Sequence, residues 1–117
     1  MTLTDVIHDK DFTLIFGAFL DKFRRNSAPY SMIEHPPQTV DTERVNLCIL
    51  AATAHQLALE NNLVMPDWVH EPQYKMPHPV FAFDTKDKGY QALLLQNTPH
   101  AFASKNIFYG DNVLARA

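Results

Sequence analysis

The longest uninterrupted apolar pattern in the chain runs over residues 41–62. This stretch, DTERVNLCILAATAHQLALENN, contains neither glycine nor proline, and its apolar residues fall on two adjoining faces of a helix. A narrow polar stripe remains through Asn46, Thr53, Gln56 and Glu60. A helix that is apolar around most of its circumference needs covering on several sides. We therefore predict a mostly α-helical domain built around a central helix at about 41–62.

Residues at both ends of this stretch supply start and stop signals. Thr39 or Asp41 can accept hydrogen bonds from the free N–H groups of the first turn. At the other end, Asn61 and Asn62 suit a left-handed cap, and Pro66 prevents the helix from continuing. These signals bound the central helix without reference to the rest of the chain.

Two more helices follow from the same periodicity. The first covers residues 10–26, where Asp9 or Asp11 serves the start. The other covers residues 84–97, begins at Asp84 or Thr85 and ends before Pro99. The predicted apolar face of the first helix consists of Phe12, Ile15, Phe16, Phe19, Leu20 and Phe23, and that of the second of Tyr90, Leu93, Leu94 and Leu95.

Between the central helix and the last helix lies a proline-rich strap, residues 63–83. Its four prolines forbid a long helix, and its aromatic residues favour a segment that wraps and closes the core. The strap ends in a short β-capable run at 80–83, and a second such run lies at 107–109. These two runs could pair into a small two-stranded ribbon.

Length and composition narrow the class of protein. A chain of 117 residues with 46% hydrophobic residues is the size of a single domain, 1–117, with a real core. One cysteine excludes an internal disulfide framework, no apolar run reaches 18 residues, and the N-terminus lacks a signal-peptide pattern. A cytoplasmic protein without a membrane span is therefore expected.

The distribution of charge argues against nucleic-acid binding. The net charge is −3, and residues 86–117 carry four bases against two acids. An excess of two positive charges is too small for the phosphate neutralisation that drives binding to DNA or RNA. We therefore predict no nucleic-acid partner.

Candidate chemistry in the sequence is sparse. The six histidines show no HxH, HxxH or HxxxH pair, so no metal site and no cofactor is predicted. Phosphate-binding glycine loops and a GxSxG elbow are also missing, which disfavours an enzyme. Cys48 lies within the apolar arc of the central helix, so we expect a buried, inert thiol. We expect His55, in the same helix, to be a boundary residue between its apolar and polar faces.

From Leu63 onward the chain resembles a tail found in small, uncharacterised bacterial proteins. In that tail a Pro-Asp-Trp step and a Pro-x-Phe step precede a Leu-rich helix, "SPxxFxxRNIF" and "LxRA"; this chain has Lys at 105 and Val at 80 where Arg and Trp are usual. The resemblance implies a bacterial regulatory or interaction module of the kind associated with antitoxins, and it implies no catalytic residues. The matching positions are Pro66-Asp67-Trp68, Pro79-Val80-Phe81, Ala92-Leu93-Leu94, Thr98-Pro99 with Phe102, Lys105-Asn106-Ile107-Phe108 and Leu114-Ala115-Arg116.

Two functional hypotheses follow. The first is a non-enzymatic module that binds a protein partner or a second copy of itself through polar and aromatic residues of the C-terminal segment; these same residues could instead only close the fold. The alternative is a small-ligand or enzyme site in the strap. The partner-binding candidates are Lys105, Asn106, Tyr109, Asn112 and Arg116, and the alternative site consists of Trp68, His70, Tyr74 and His78.

Overall fold

The computed structural model describes residues 2–7, 11–38, 44–111 and 113–114. The fold is mostly α-helical, as predicted, and short 3₁₀ turns at Pro29–Met32, Asp67–His70, Pro72–Tyr74 and Ala82–Asp84 join its helices. The longer elements are α1 (Leu3–Ile7), α2 (Phe12–Arg25), α3 (Arg44–Glu60), β1 (Val80–Phe81), α4 (Lys88–Asn97), α5 (His100–Ala103) and β2 (Ile107–Phe108).

Helix α3 is the centre of the fold. Ten of its residues are buried, and α1, α5 and the strap pack around it. The polar stripe predicted along this helix is wrong at Thr53, which is fully buried and donates its hydroxyl to the Ile49 carbonyl at 2.7 Å. That internal hydrogen bond satisfies the hydroxyl, so the helix tolerates threonine in its core face. Residues 41–43 of the predicted helix lie outside the described residues.

The C-terminal end of α3 confirms the predicted left-handed cap. Asn62 has φ 53, and the Leu63 N–H donates to the Ala58 carbonyl at 2.9 Å. This six-residue hydrogen bond is the mark of a Schellman motif, in which a residue with positive φ reverses the chain. The predicted N-terminal caps, Thr39 and Asp41, lie outside the described residues.

The N-terminal part of the chain forms two helices. Helix α2 begins at Phe12 and directs Phe19, Leu20 and Phe23 into the core. Ile49 of α3 belongs to the same hydrophobic cluster. The α2 helix was predicted to begin at residue 10, and residues 8–10, including the candidate cap Asp9, lie outside the described residues. A separate short helix, α1, precedes it and buries three apolar residues of its own.

The ribbon prediction is confirmed: β1 and β2 pair, and they run parallel. Val80 lies opposite Ile107, and Phe81 lies opposite Phe108. The Phe81 and Phe108 rings stack with centroids 5.6 Å apart. Phe108 also joins Ala82 and Leu94 in a small second core beneath α4.

Helix α4 differs most from its prediction. It starts at Lys88 rather than residue 84, because Asp87 is its cap and accepts a hydrogen bond from the Tyr90 N–H at 2.9 Å. Residues 82–84 instead form a tight 3₁₀ turn. Of the predicted apolar face only Leu94 is buried, whereas Tyr90, Leu93 and Leu95 are exposed. Leu94 alone reaches the small second core, because no further element covers the rest of the helix among the described residues.

Candidate functional site

Two residues of the alternative ligand site serve the core instead. Trp68 and Tyr74 are buried with their rings edge to face, 5.2 Å between centroids. The Trp68 indole N–H donates to the Ile33 carbonyl at 3.1 Å, and burial raises the pKa of Tyr74. The aromatic residues of the strap therefore close the core, as the sequence predicted. His70 and His78 are both exposed, whereas Trp68 and Tyr74 are buried, and none of the four lines the cavities described below.

His70 lies against His55 of α3, which was expected between the apolar and polar faces of that helix. His55 is buried, and its Nδ1 atom has no hydrogen-bond partner among the described residues. The His70 ring approaches it edge-on at 5.2 Å. Burial, helped by the charges of Lys105, His70 and His100, lowers the pKa of His55 to about 4. In the part of the chain that the structure describes, no three His, Cys, Asp or Glu residues are arranged to hold a metal ion.

Cys48 is fully buried in α3, as predicted. Burial raises the pKa of its thiol, and nearby Arg44 and Lys105 offset that effect only in part. A raised pKa keeps the sulfur protonated at neutral pH, and a protonated thiol is a poor nucleophile. The position therefore offers no catalytic chemistry.

The expectation that Lys105 lies on an exposed partner surface is wrong. Its side chain is only 5% exposed, and its Nζ atom donates to the Val69 carbonyl at 2.6 Å. Burial lowers the pKa of Lys105. The long methylene stem packs while the amine ties the strap to the segment after α5. This contact joins residues 36 apart in sequence, so no local pattern signals it.

Asn106 also ties the chain together more than it faces solvent. It is half-buried, and its side-chain amide donates to the Met76 carbonyl at 2.8 Å. Its φ of 63 falls in the left-handed region, which asparagine tolerates better than most residues. Two other predicted partner-binding residues, Asn112 and Arg116, lie outside the described residues.

Tyr109 is the predicted partner-binding residue that borders open space. It is half-buried, burial raises its pKa, and it lines two adjacent cavities of about 480 Å³ and 300 Å³. Val113 also lines both, and we call these two cavities together the groove. The larger cavity is completed by Ala82, Phe83 and Tyr90, and the smaller by Phe12, Thr13, Phe16, Asn46 and Ile49.

Phe83 stands at the edge of this groove and is 94% exposed. Its φ of 56 and ψ of 21 place a bulky side chain in the left-handed region, which costs about 1–2 kcal/mol. Asp84 follows with φ 51. Phe83 thus gains no burial from folding and adds backbone strain. Sequence reasoning had placed it in a β-capable run and gave no signal of its exposure.

We call the surface formed by Phe83, Tyr90, Leu93, Tyr109 and Val113 the apolar face. Exposed charges of both signs lie between Phe83 and Tyr90 in the chain: Asp84 and Lys86, which approach within 3.8 Å, followed by Asp87 and Lys88. An apolar centre with a mixed polar rim is the composition of protein interfaces. Such contiguous exposed apolar surface on a small domain commonly marks a binding site.

No helix among the described residues has the length and apolar character to cross a membrane. In comparisons with known proteins, the chain matches no family model, no curated protein and no solved structure.

Proposed function

We propose that this chain is a non-enzymatic protein-interaction module and that the apolar face is its contact surface. The observation that carries the proposal is Phe83, a large side chain that is almost fully exposed on a strained backbone. Strain of this kind persists where it serves a function, because folding alone gives no reason to keep it. Removing its ring from water on binding offers about 1.5–3 kcal/mol.

The shape of the face favours a protein over a small ligand. Sites for small molecules are concave and surround most of the ligand. Here a phenylalanine projects from the surface beside a groove, and the exposed Leu93 extends the apolar surface along α4. A partner that both covers a projection and fills a groove needs the extended surface of a protein. Aromatic residues at the centre of such a face are the usual anchors of binding.

The resemblance of the C-terminal half to small bacterial proteins supports a regulatory role in the bacterial cytoplasm, of the kind associated with antitoxins. Leu93 belongs both to the apolar face and to the Leu-rich helix of that resemblance. Lys105 and Phe102, which also carry the resemblance, are buried and hold the fold together. The resembling tail thus combines a structural frame with the proposed contact face.

Quantitative capture from a bacterial lysate tests the proposal, with the parent protein, Phe83→Gly and Val64→Ala as baits. Glycine accepts the left-handed backbone at position 83, so the variant keeps the fold while losing the ring. Val64 is 76% exposed and does not line the groove, which makes it a matched control. We expect binding, whether to another protein or to untagged copies of the chain, to be lost with Phe83→Gly and kept with Val64→Ala. Equal capture by all three baits would contradict the proposal.

A further inference from the structure

The apolar face carries a projecting side chain and a recess side by side. Phe83 projects into solvent, and the cavity of about 480 Å³ beside it is lined by Phe83 itself, Tyr90, Tyr109 and Val113. Three of the five residues that line the recess are aromatic, which suits a phenylalanine ring through edge-to-face or offset-stacked contacts. The projection and the recess therefore have matching chemistry.

A surface with this property is complementary to itself. In a dimer with two-fold symmetry the same patch meets its own copy, so that residue i contacts residue j and residue j contacts residue i. A projection adjacent to a recess satisfies this condition when one copy is turned by half a rotation against the other. A face with the recess alone would call for a different protein.

The charged residues that follow Phe83 are also compatible with a second copy of the chain as the partner. Asp84, Lys86, Asp87 and Lys88 bring two acids and two bases to the rim within five residues. A rim of a single sign would repel its own copy, and like charges brought together across an interface cost several kcal/mol. A rim of alternating sign lets acids of one copy meet bases of the other.

We propose that the occupant of the apolar face is a second copy of this chain, in a two-fold dimer where Phe83 of each copy enters the recess of the other between Tyr90 and Tyr109. This inference rests on the proposed function and names its partner. The apolar face has only three large exposed side chains, Phe83, Tyr90 and Leu93, whereas each partner of a standard interface contributes roughly 800 Å² from about 20–30 residues. The dimer is therefore weak and dissociates on dilution.

Sedimentation equilibrium on the purified chain tests this, over roughly 10 μM to 1 mM, where weak dimers dissociate. The parent and Val64→Ala should rise with concentration from the mass of one chain toward that of two. Phe83→Gly should keep the mass of one chain throughout. A parent that stays monomeric across the range, or a Phe83→Gly variant that dimerises as well as the parent, overturns the inference.

A mixing experiment tests the reciprocal geometry. Phe83→Gly keeps the Tyr90, Tyr109 and Val113 walls of the recess and loses the projection, whereas Val113→Trp fills the recess and keeps the projection. Neither variant can form a projection-recess contact with itself, but a mixed pair can form one. We expect an equimolar mixture to dimerise more than either variant alone, and no gain on mixing contradicts the two-fold arrangement.

The two proposals fail in different ways. If the parent is monomeric but still captures another protein in a Phe83-dependent manner, the two-fold dimer is refuted and the proposed interaction module is retained. A parent that neither dimerises nor captures any protein through Phe83 removes both proposals.

Discussion

Helices α3 and α4 are both rich in leucine, yet they are used in opposite ways. Ten of the 17 residues of α3 are buried, whereas α4 buries only Leu94 among its 10 residues. Leucines 93 and 95 of α4 remain about half exposed on either side of that anchor. Apolar residues on a helix therefore indicate surface that favours burial. Whether that surface is buried within the same chain depends on which other elements pack against the helix.

The largest contrast should come from truncating one side chain in each region. Phe19→Ala removes a fully buried ring from the α3 core and should lower the free energy of unfolding by about 3–5 kcal/mol. Leu93→Ala on α4 should change it by no more than about 0.5 kcal/mol, as exposed substitutions usually do. Urea denaturation of both variants measures the difference, and similar losses would abolish the distinction between the regions.

A buried polar contact should have an intermediate effect. Lys105→Ala removes the amine that donates to the Val69 carbonyl and the stem that packs beside it, so we expect a loss of about 2 kcal/mol. Gln91→Ala, which removes a half-buried side chain that donates to the Thr85 carbonyl next to α4, is the matched control and should cost less. A loss from Lys105→Ala no larger than the control would mean that the lysine contact is not stabilising.

His55 should make the α3 region sensitive to acid. Its pKa falls from about 6.5 in the unfolded chain to about 4 in the fold, so its contribution to stability is full above pH 6.5 and is lost as the pH falls toward 4. Between pH 7 and pH 5 the parent should lose about 2 kcal/mol more than His55→Leu, which has no proton to bind. Denaturation at the two pH values measures this difference, and equal losses would show that the imidazole does not titrate as inferred.

The smallest effect should carry the opposite sign. Phe83→Gly relieves the left-handed strain and removes little packing, so the free energy of unfolding should rise by about 1 kcal/mol or less. Asn at the same position tolerates positive φ and should also avoid a loss. Destabilisation by both variants would mean that the Phe83 ring supports the fold, and would weaken its assignment to binding.

Features fixed by local chemistry were predictable from the sequence. The apolar faces of α3 follow from helical spacing alone, and Asn62 could be expected at positive φ because asparagine accepts that conformation after a helix. The β1–β2 pair was also predictable, since both runs have β-forming residues. The burial of Trp68 and Tyr74 was predictable because they are aromatic residues in a proline-rich strap that cannot form a long helix.

Features fixed by distant contacts were not predictable. Lys105 is buried and its amine donates to the Val69 carbonyl, which lies 36 residues earlier in the sequence. From the sequence alone, a lysine is normally expected to be exposed to solvent. Leu93 is exposed because no other described element reaches it, although its spacing matches a core helix. Phe83 has a positive φ in the turn at Ala82–Asp84. This turn contains no glycine, so there was no reason to expect a left-handed conformation there from the sequence. The apolar face therefore emerges only in three dimensions.

The parallel ribbon gives the stretch 82–99 an unusual freedom. It leaves the core at β1, which is tied to β2, and returns at α5, whose Phe102 is fully buried. The stretch also holds itself to the frame near its ends, because Ala82 and Leu94 pack against Phe108 and the Thr98 hydroxyl accepts a hydrogen bond from the Gly110 N–H. Lengthening a closed segment costs only about 0.6 kcal/mol for each doubling. The mostly exposed part between these contacts, residues 83–93, can thus be lengthened, shortened or replaced while the frame stays intact. A scaffold with one exchangeable segment is a starting point for evolving, or engineering, new binding specificities.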